Sequence, residues 1–431
     1  MSAPDSTPSQ SPIAGLREQY RNGETTPSAE LEAALARSNA NAHHNTYLAQ
    51  NAGWSRAEAA RLRLDAMDSQ PLWGVPVSLK DCFDLEGFAT SCGSSFYKEA
   101  HGIATQDSAV AAKLRTAGAV ITGKTHLHQL AYGITGENRD FRDCLQPRDA
   151  RLLCGGSSSG AAASVQEGSA LAAIGTDTGG SIRTPAALCG LSGYRSSITL
   201  NTDALWSGGA HLAPSFDTLG WLYRSLADGP LLGHALFDLP YAAAPALASL
   251  KLGVPDAAFL HDCDPDVLVT LDHWQSRLAA KGVRFARFDA ALWHNALEIF
   301  APIQASEAAV LHRGRFHHFE PDIAERLAWG ASLSAEEVAT LRLRMAAFRE
   351  QTAALFQRFD YLLLPCAPMS ALFAGADHSQ TRTRILRYTA PASLCGNPVV
   401  TLANQDRPGG LQLLGPLGTD ATLLALSASL G

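Results

Sequence analysis

Two glycine-flanked serine clusters stand about two dozen residues apart in this chain: Gly155-Gly156-Ser157-Ser158-Ser159-Gly160 and Gly179-Gly180-Ser181. A serine hydroxyl is a weak nucleophile until a base takes its proton. Glycines beside it let backbone N–H groups come close to a substrate and turn inward at angles that other residues resist. The chemistry this pattern suits is attack on a carbonyl, with backbone amides holding the oxyanion. After Ser181, Ile182-Arg183-Thr184-Pro185-Ala186-Ala187-Leu188 predicts a helix with Thr184 as N-cap and Pro185 at the first position. Ser181 would then lie just ahead of amide donors able to face a developing negative charge. A base is offered by Leu72–Asp81, which reads as a strand ending at Lys80, with Val75, Val77 and Leu79 apolar on alternate positions. A lysine at a strand end is ordinarily a solvated charge. Buried there, its ammonium is disfavoured and the neutral amine becomes a base.

From Cys154 to Arg195 the chain resembles the defining segment of the amidase signature family. The pattern GGSS(S/G)G, about two dozen residues, then G-T-D-x-x-G-S-(I/V)-R-x-P-A is met almost letter for letter, and Gly74–Asp81 matches G-(V/I)-P-x-x-x-K-D. The resemblance implies amide hydrolysis by a Ser–cis-Ser–Lys triad. Carried over by position, Ser181 is the nucleophile, Ser157 the cis-peptide serine and Lys80 the base. Thr178, Gly179, Gly180 and Ser181 supply the candidate oxyanion amides. Leu130, Ala131 and Tyr132, in the loop Gln129–Asn138, match one wall of the acyl pocket. Asp177 and Arg183 read as a brace for the nucleophile loop, and Pro214–Trp221 as its support. The family implies no metal and no other cofactor. Its partner is a small-molecule amide, and a homodimer is allowed for. Within the family the chain looks most like the indole-3-acetamide amidase group, which points to arylacetamides. It departs from the usual pattern at Asp143-Cys144-Leu145-Gln146-Pro147 and at Arg195–Thr199. A second reading within the family is an ammonia-releasing component of an amidotransferase complex.

Three other motifs compete. Gly118–Thr125 satisfies the phosphate-cradling expression G-x-x-x-x-G-K-[ST], which needs a strand before it and a helix after the lysine. Here a helix over Ser108–Ala117 precedes it and Ala119–Thr122 is strand-like, so nucleotide binding is disfavoured. Gly156–Gly160 also satisfies G-x-S-x-G, which would make Ser158 the nucleophile with Asp217, Asp360 or His378 as partners. That motif needs a buried apolar strand directly before it, and Arg148–Leu153 is too charged and too short. His126 and His128 lack the third and fourth ligands of a metal site; a structural or pocket role suits them better.

The elements that must position these groups follow from periodicity. At 431 residues, 46% hydrophobic and 17% charged, the chain has the composition of a globular enzyme. The expected fold class is α/β, a single α/β/α domain over residues 12–431 around a large mixed twisted sheet, after a disordered Ser/Pro-rich tail at 1–11. Helices are expected from Thr26-Pro27 and over Ser55–Met67, with a short strand at Asn45–Ala49. From Arg224 to Leu355 the chain reads as mainly helical, with one strand near Leu250–Val254. Tyr361–Pro365 is a buried strand, Tyr388–Ser393 a helix over the site, and Asn397–Leu402 and Gly410–Gly415 two closing strands. A net charge of −7 disfavours nucleic acid and anionic membrane. No apolar run is long enough to span a bilayer, no secretory h-region opens the chain, and eight cysteines lie without a C-x-x-C pair. These features predict a cytoplasmic protein with reduced thiols.

Overall fold

The computed structural model describes residues 11–403 and 409–431. Its strands are β1 (Tyr47–Ala49), β2 (Pro76–Lys80), β3 (Val120–Thr125), β4 (Leu145–Gln146), β5 (Asp149–Leu153), β6 (Ala172–Asp177), β7 (Ser192–Arg195), β8 (Thr218–Tyr223), β9 (Lys251–Pro255), β10 (Arg284–Phe288), β11 (Tyr361–Pro365), β12 (Val399–Ala403) and β13 (Gly410–Leu414). Eleven of them form one mixed sheet in the order β1-β3-β2-β6-β8-β7-β12-β13-β11-β9-β10, while β4 and β5 pair separately. The order explains the composition of the central strands. β2, β6 and β8 are buried at every position, because helices cover both faces of the sheet. Apolar runs such as Thr218-Leu219-Gly220-Trp221-Leu222-Tyr223 therefore need no alternation. This is the α/β architecture that the sequence implies.

Two glycines set the middle of the sheet. Gly175 on β6 lies directly across from Gly220 on β8. A Cβ at Gly175 would stand 2.9 Å from Ser158 Oγ, and one at Gly220 only 1.8 Å from the Tyr194 carbonyl oxygen. Glycine within a strand marks such close approaches. The narrowness here lets the serine loop lie directly on the sheet.

Several expectations are corrected. The Arg183–Leu188 helix begins before Thr184, with Ile182 at the cap position and no side-chain cap. Thr184 Oγ1 is buried without a hydrogen-bond partner, so it does not cap. Ser181 is thus one residue from the helix boundary. Between Arg224 and Leu355 there is a second strand, β10, pairing in parallel with β9. Its sequence, Arg-Phe-Ala-Arg-Phe, carries charge because it is an edge strand, and the charge disguises it. The helix expected over Ser55–Met67 is Ala52–Arg61, starting and ending earlier than the apolar pattern suggests. Of the expected tail, residues 1–10 lie outside the described part. Ser11 belongs to the fold: it caps the Pro12–Arg21 helix and donates to Asp228. Gly118–Thr125 enters a fully buried strand, and β5 before Gly156 is half of a small hairpin, so neither competing motif has the context it needs.

Gly220→Ala tests the sheet geometry. The added methyl group meets backbone, which cannot rotate away, and we expect about 3 kcal/mol or more of destabilisation, read as a lower urea midpoint.

Candidate active site

Lys80 ends β2 with its side chain fully buried, between the serine loop and the end of β6. Its Nζ lies 2.8 Å from Ser157 Oγ, 3.0 Å from Ser158 Oγ and 2.7 Å from Thr176 Oγ1. None of these is an anion. Burial lowers the Lys80 pKa to about 8, although Cys82, Asp177 and Asp217 pull the other way. The neutral amine is therefore easier to reach near neutral pH than on a solvated lysine.

The serine loop is held by its backbone. The Gly156–Ser157 peptide is cis. Gly156 N–H donates to the Ile134 carbonyl at 2.7 Å, and the Ser157 carbonyl accepts from His128 N–H at 3.1 Å. Ser158 N–H donates to the Ser181 carbonyl at 3.2 Å, tying this loop to the second cluster. Ser158 Oγ accepts from Lys80 and donates to the Thr176 carbonyl at the end of β6.

The loop Asp177–Ser181 turns around one carboxylate. Asp177 accepts from Gly180 N–H at 2.8 Å and Ile182 N–H at 3.1 Å. It pairs with Arg183 at 2.9 Å and with Arg195 at 3.0 Å, all three side chains being fully buried. Burial opposes ionisation of Asp177, but the two guanidiniums and the backbone donors outweigh it and hold the carboxyl well below its usual range. Arg183 also donates to the Thr389 carbonyl, Gln412 Oε1 and Ser393 Oγ. Thr389 Oγ1 donates to the Gly179 carbonyl at 2.5 Å, and Thr178 Oγ1 to Asp217 at 2.6 Å. The expected brace and the supporting Pro214–Trp221 segment are thus both in place. Sequence reasoning misses Arg195, Thr176 and Thr389. Arg195 closes β7 after Ser192-Gly193-Tyr194, and an arginine ending a buried strand is the signal that could have found it.

Gly179 is covered by Phe300 and Leu386, whose atoms would lie 2.9 and 3.0 Å from a Cβ there. The residues matched to a wall of the acyl pocket are all buried. Leu130 and Ala131 are buried in the core with positive φ angles of 53° and 56°. Tyr132 is buried too, and its ring carries the guanidiniums of Arg326 and Arg382 at 5.1 and 5.8 Å from the centroid. Those arginines line an open cavity with His128, Ile134 and Thr135. His126 is held by Ser159 and the Arg142 carbonyl, each at 2.7 Å. No group of three or more potential metal ligands occurs among the described residues, and no helix among them is long and apolar enough to cross a membrane.

This arrangement can be set beside known proteins. The Amidase family model matches residues 29–424. The chain belongs to the amidase family. It is 31% identical to 2-amino-5-chloromuconic acid deaminase of Comamonas testosteroni over 86% of this chain and 85% of that one. It is equally 31% identical to a glutamyl-tRNA(Gln) amidotransferase subunit of Geobacter metallireducens, over 86% of each. A solved amidase structure, 29% identical, overlays on 97% of this chain and 98% of that one with a TM-score of 0.87. The protein is a hydrolase acting on carbon–nitrogen amide bonds, with the buried amine and serines just described at the ends of its central strands.

Asp177→Asn removes the charge shared by Arg183 and Arg195 and leaves both guanidiniums buried and uncompensated. We expect about 3–5 kcal/mol of lost stability, measured by denaturant unfolding.

Proposed function

We propose that the amidase works through Ser181, Ser157 and Lys80, and the contact between Lys80 Nζ and Ser157 Oγ carries this reading. Ser181 Oγ attacks the amide carbonyl and gives its proton to Ser157 Oγ, whose own proton passes to neutral Lys80. The negative charge that develops on the carbonyl oxygen needs donors held in place beforehand. Gly180 N–H is engaged by Asp177, so the amides of Thr178, Gly179 and Ser181 are assigned to the oxyanion. Collapse of the tetrahedral intermediate breaks the C–N bond. The leaving amine collects the proton from Lys80 through Ser157, and water, activated by the same relay, frees the acid from Ser181. Ser158 stays outside the reaction, as a ligand that fixes the Lys80 amine. Leu130 and Ala131 are assigned to the same wall as Tyr132, which acts on the cavity through the two arginines.

The substrate is a small carboxylic amide; among neutral amides, arylacetamides are the class to assay first. Likeness to the glutamyl-tRNA(Gln) amidotransferase chain favours a second reading, ammonia release within a complex. Glutamine as the one amide hydrolysed, and co-purification with a partner chain, would mark that reading.

Two measurements test the mechanism. A fluorophosphonate should form its adduct on the peptide containing Ser181, and Ser181→Ala should abolish labelling; an adduct on Ser158 would point to the α/β-hydrolase alternative. The kcat/KM should rise with pH through about 8 and stay high above it, since the amine is protonated below that value and neutral above. Lys80→Ala should lose about a thousandfold or more. Lys80→Arg should be nearly as poor, because a guanidinium stays charged at any working pH. An arginine variant with most of the wild-type rate would remove Lys80 from the mechanism.

A further inference from the structure

Arg326 and Arg382 are half-buried and differ from the ion-paired cations of the core. Arg183 and Arg195 share Asp177, and Lys124 pairs with Asp81 at 2.5 Å. Arg326 instead donates to the carbonyls of Tyr132 at 2.5 Å and Asp322 at 2.9 Å, and Arg382 to Gln304 Oε1 at 2.8 Å. Neither is ion-paired with a carboxylate among the described residues. Both face the same ring, so two like charges share one half-buried place. Burial and the nearby Arg326 lower the Arg382 pKa to about 10. His128, which lines the same cavity, leaves its buried Nδ1 without a partner. Two like charges held side by side and partly out of water favour an anion placed against both, although Asp322, Glu320 and Glu325 already act on Arg326 from a distance.

Position relates this pair to the serines. On the Thr381–Cys395 helix, Arg382, Leu386 and Thr389 lie on one face. Thr389 holds the Gly179 carbonyl and Leu386 covers Gly179, so Arg382 is one turn, about 6 Å, further along. On the Ala296–Leu311 helix, Phe300 covers Gly179 and Gln304, the partner of Arg382, is likewise one turn on. The opposite wall is made by His128 and Ile134, whose backbone atoms hold Ser157 and Gly156. Residues that hold or cover the serine loops thus share their elements with the surroundings of the guanidiniums.

We infer that Arg326 and Arg382 bind a carboxylate of the substrate, so that the amide hydrolysed at Ser181 belongs to a small molecule carrying a carboxylate at its far end. This rests on the amidase reading above. The planar guanidinium fork suits a carboxylate in geometry as well as charge. One helical turn between the wall over Gly179 and Arg382 suits a spacer of a few carbons, as in the monoamides of straight-chain dicarboxylic acids with roughly four to six carbons. Four carboxylates line the cavity as well, Glu137, Asp322, Glu325 and Asp377. Glu137 is held by Thr135, and the other three are exposed. They would disfavour a second negative group on the substrate.

Binding and turnover are measured separately. In the Ser181→Ala protein, calorimetry compares each monoamide with a neutral isostere in which a methyl ketone replaces the carboxylate. We expect the acid to bind about 10- to 100-fold more tightly, the usual worth of a charge-assisted hydrogen-bond pair. Arg382→Gln in the same background should erase the difference, and Arg382→Lys should restore part of it. With an active Ser181, the acids should be preferred through a lower KM. Equal or weaker binding of every acid in Ser181→Ala would overturn the inference, since the cavity's own carboxylates would then suffice for the arginines; hydrolysis of neutral amides by the wild type would still leave the amidase reading standing. Tight, arginine-dependent binding with no turnover of any amide would support the carboxylate site and remove the serine mechanism instead.

Discussion

The nucleophile loop depends on a single buried anion. Asp177 has two guanidiniums and three backbone amides directed at it and no surface open to water. An ion pair taken so far from solvent is tolerable only when every remaining donor and acceptor is matched, because desolvation of each charge otherwise exceeds the attraction between them. The matching is extensive. Arg183 uses Thr389, Ser393 and Gln412 in addition to Asp177, and Gln412 in turn donates to the carbonyls of Pro365 and Tyr388. A loop rich in glycine, free to take many shapes on its own, is confined to one by electrostatics.

Lys80 meets the same problem in the opposite way. It too is fully buried, but its contacts are hydroxyls, and no carboxylate is placed against it. Burial without a counter-charge favours loss of the proton, whereas burial with one fixes the charge. The neighbouring Lys124, paired with Asp81, shows the alternative at close quarters. The protein therefore keeps permanent charges where it needs rigidity and a labile proton where the proposed chemistry needs a base. What decides between the two is the placement of a few carboxylates.

Much of this is legible in the sequence, for reasons that differ by residue. Lys80, Ser157 and Ser181 stand out because their spacing sits inside long motifs, and the central strands because full burial demands unbroken apolar runs. Thr184 and Pro185 point to a later start for the Arg183 helix because together they make a good local cap. The loop around Asp177 overrides it by binding the amides of Ile182 and Arg183 itself. Strand β10 is hidden by edge-strand charges. The cations at Tyr132 are invisible for a different reason: Arg326 and Arg382 belong to helices in the second half of the chain, and nothing in their local sequence says that they converge on a loop at residue 132. Pattern reading captures local rules and motifs; it does not see a partner some two hundred residues away unless a motif carries it.

That distance has its own consequence. The ligands that satisfy Arg183 lie 206, 210 and 229 residues further along the chain. A chain emerging from the ribosome has both serine clusters and Lys80 long before it has Thr389, Ser393 or Gln412. Until those arrive, Arg183 lacks the neighbours that let it stay buried beside Asp177, and the loop has no reason to hold its shape. Unfinished or truncated chains thus carry the hydroxyls without the frame that arms them. Competence arrives only with the last strands of the sheet.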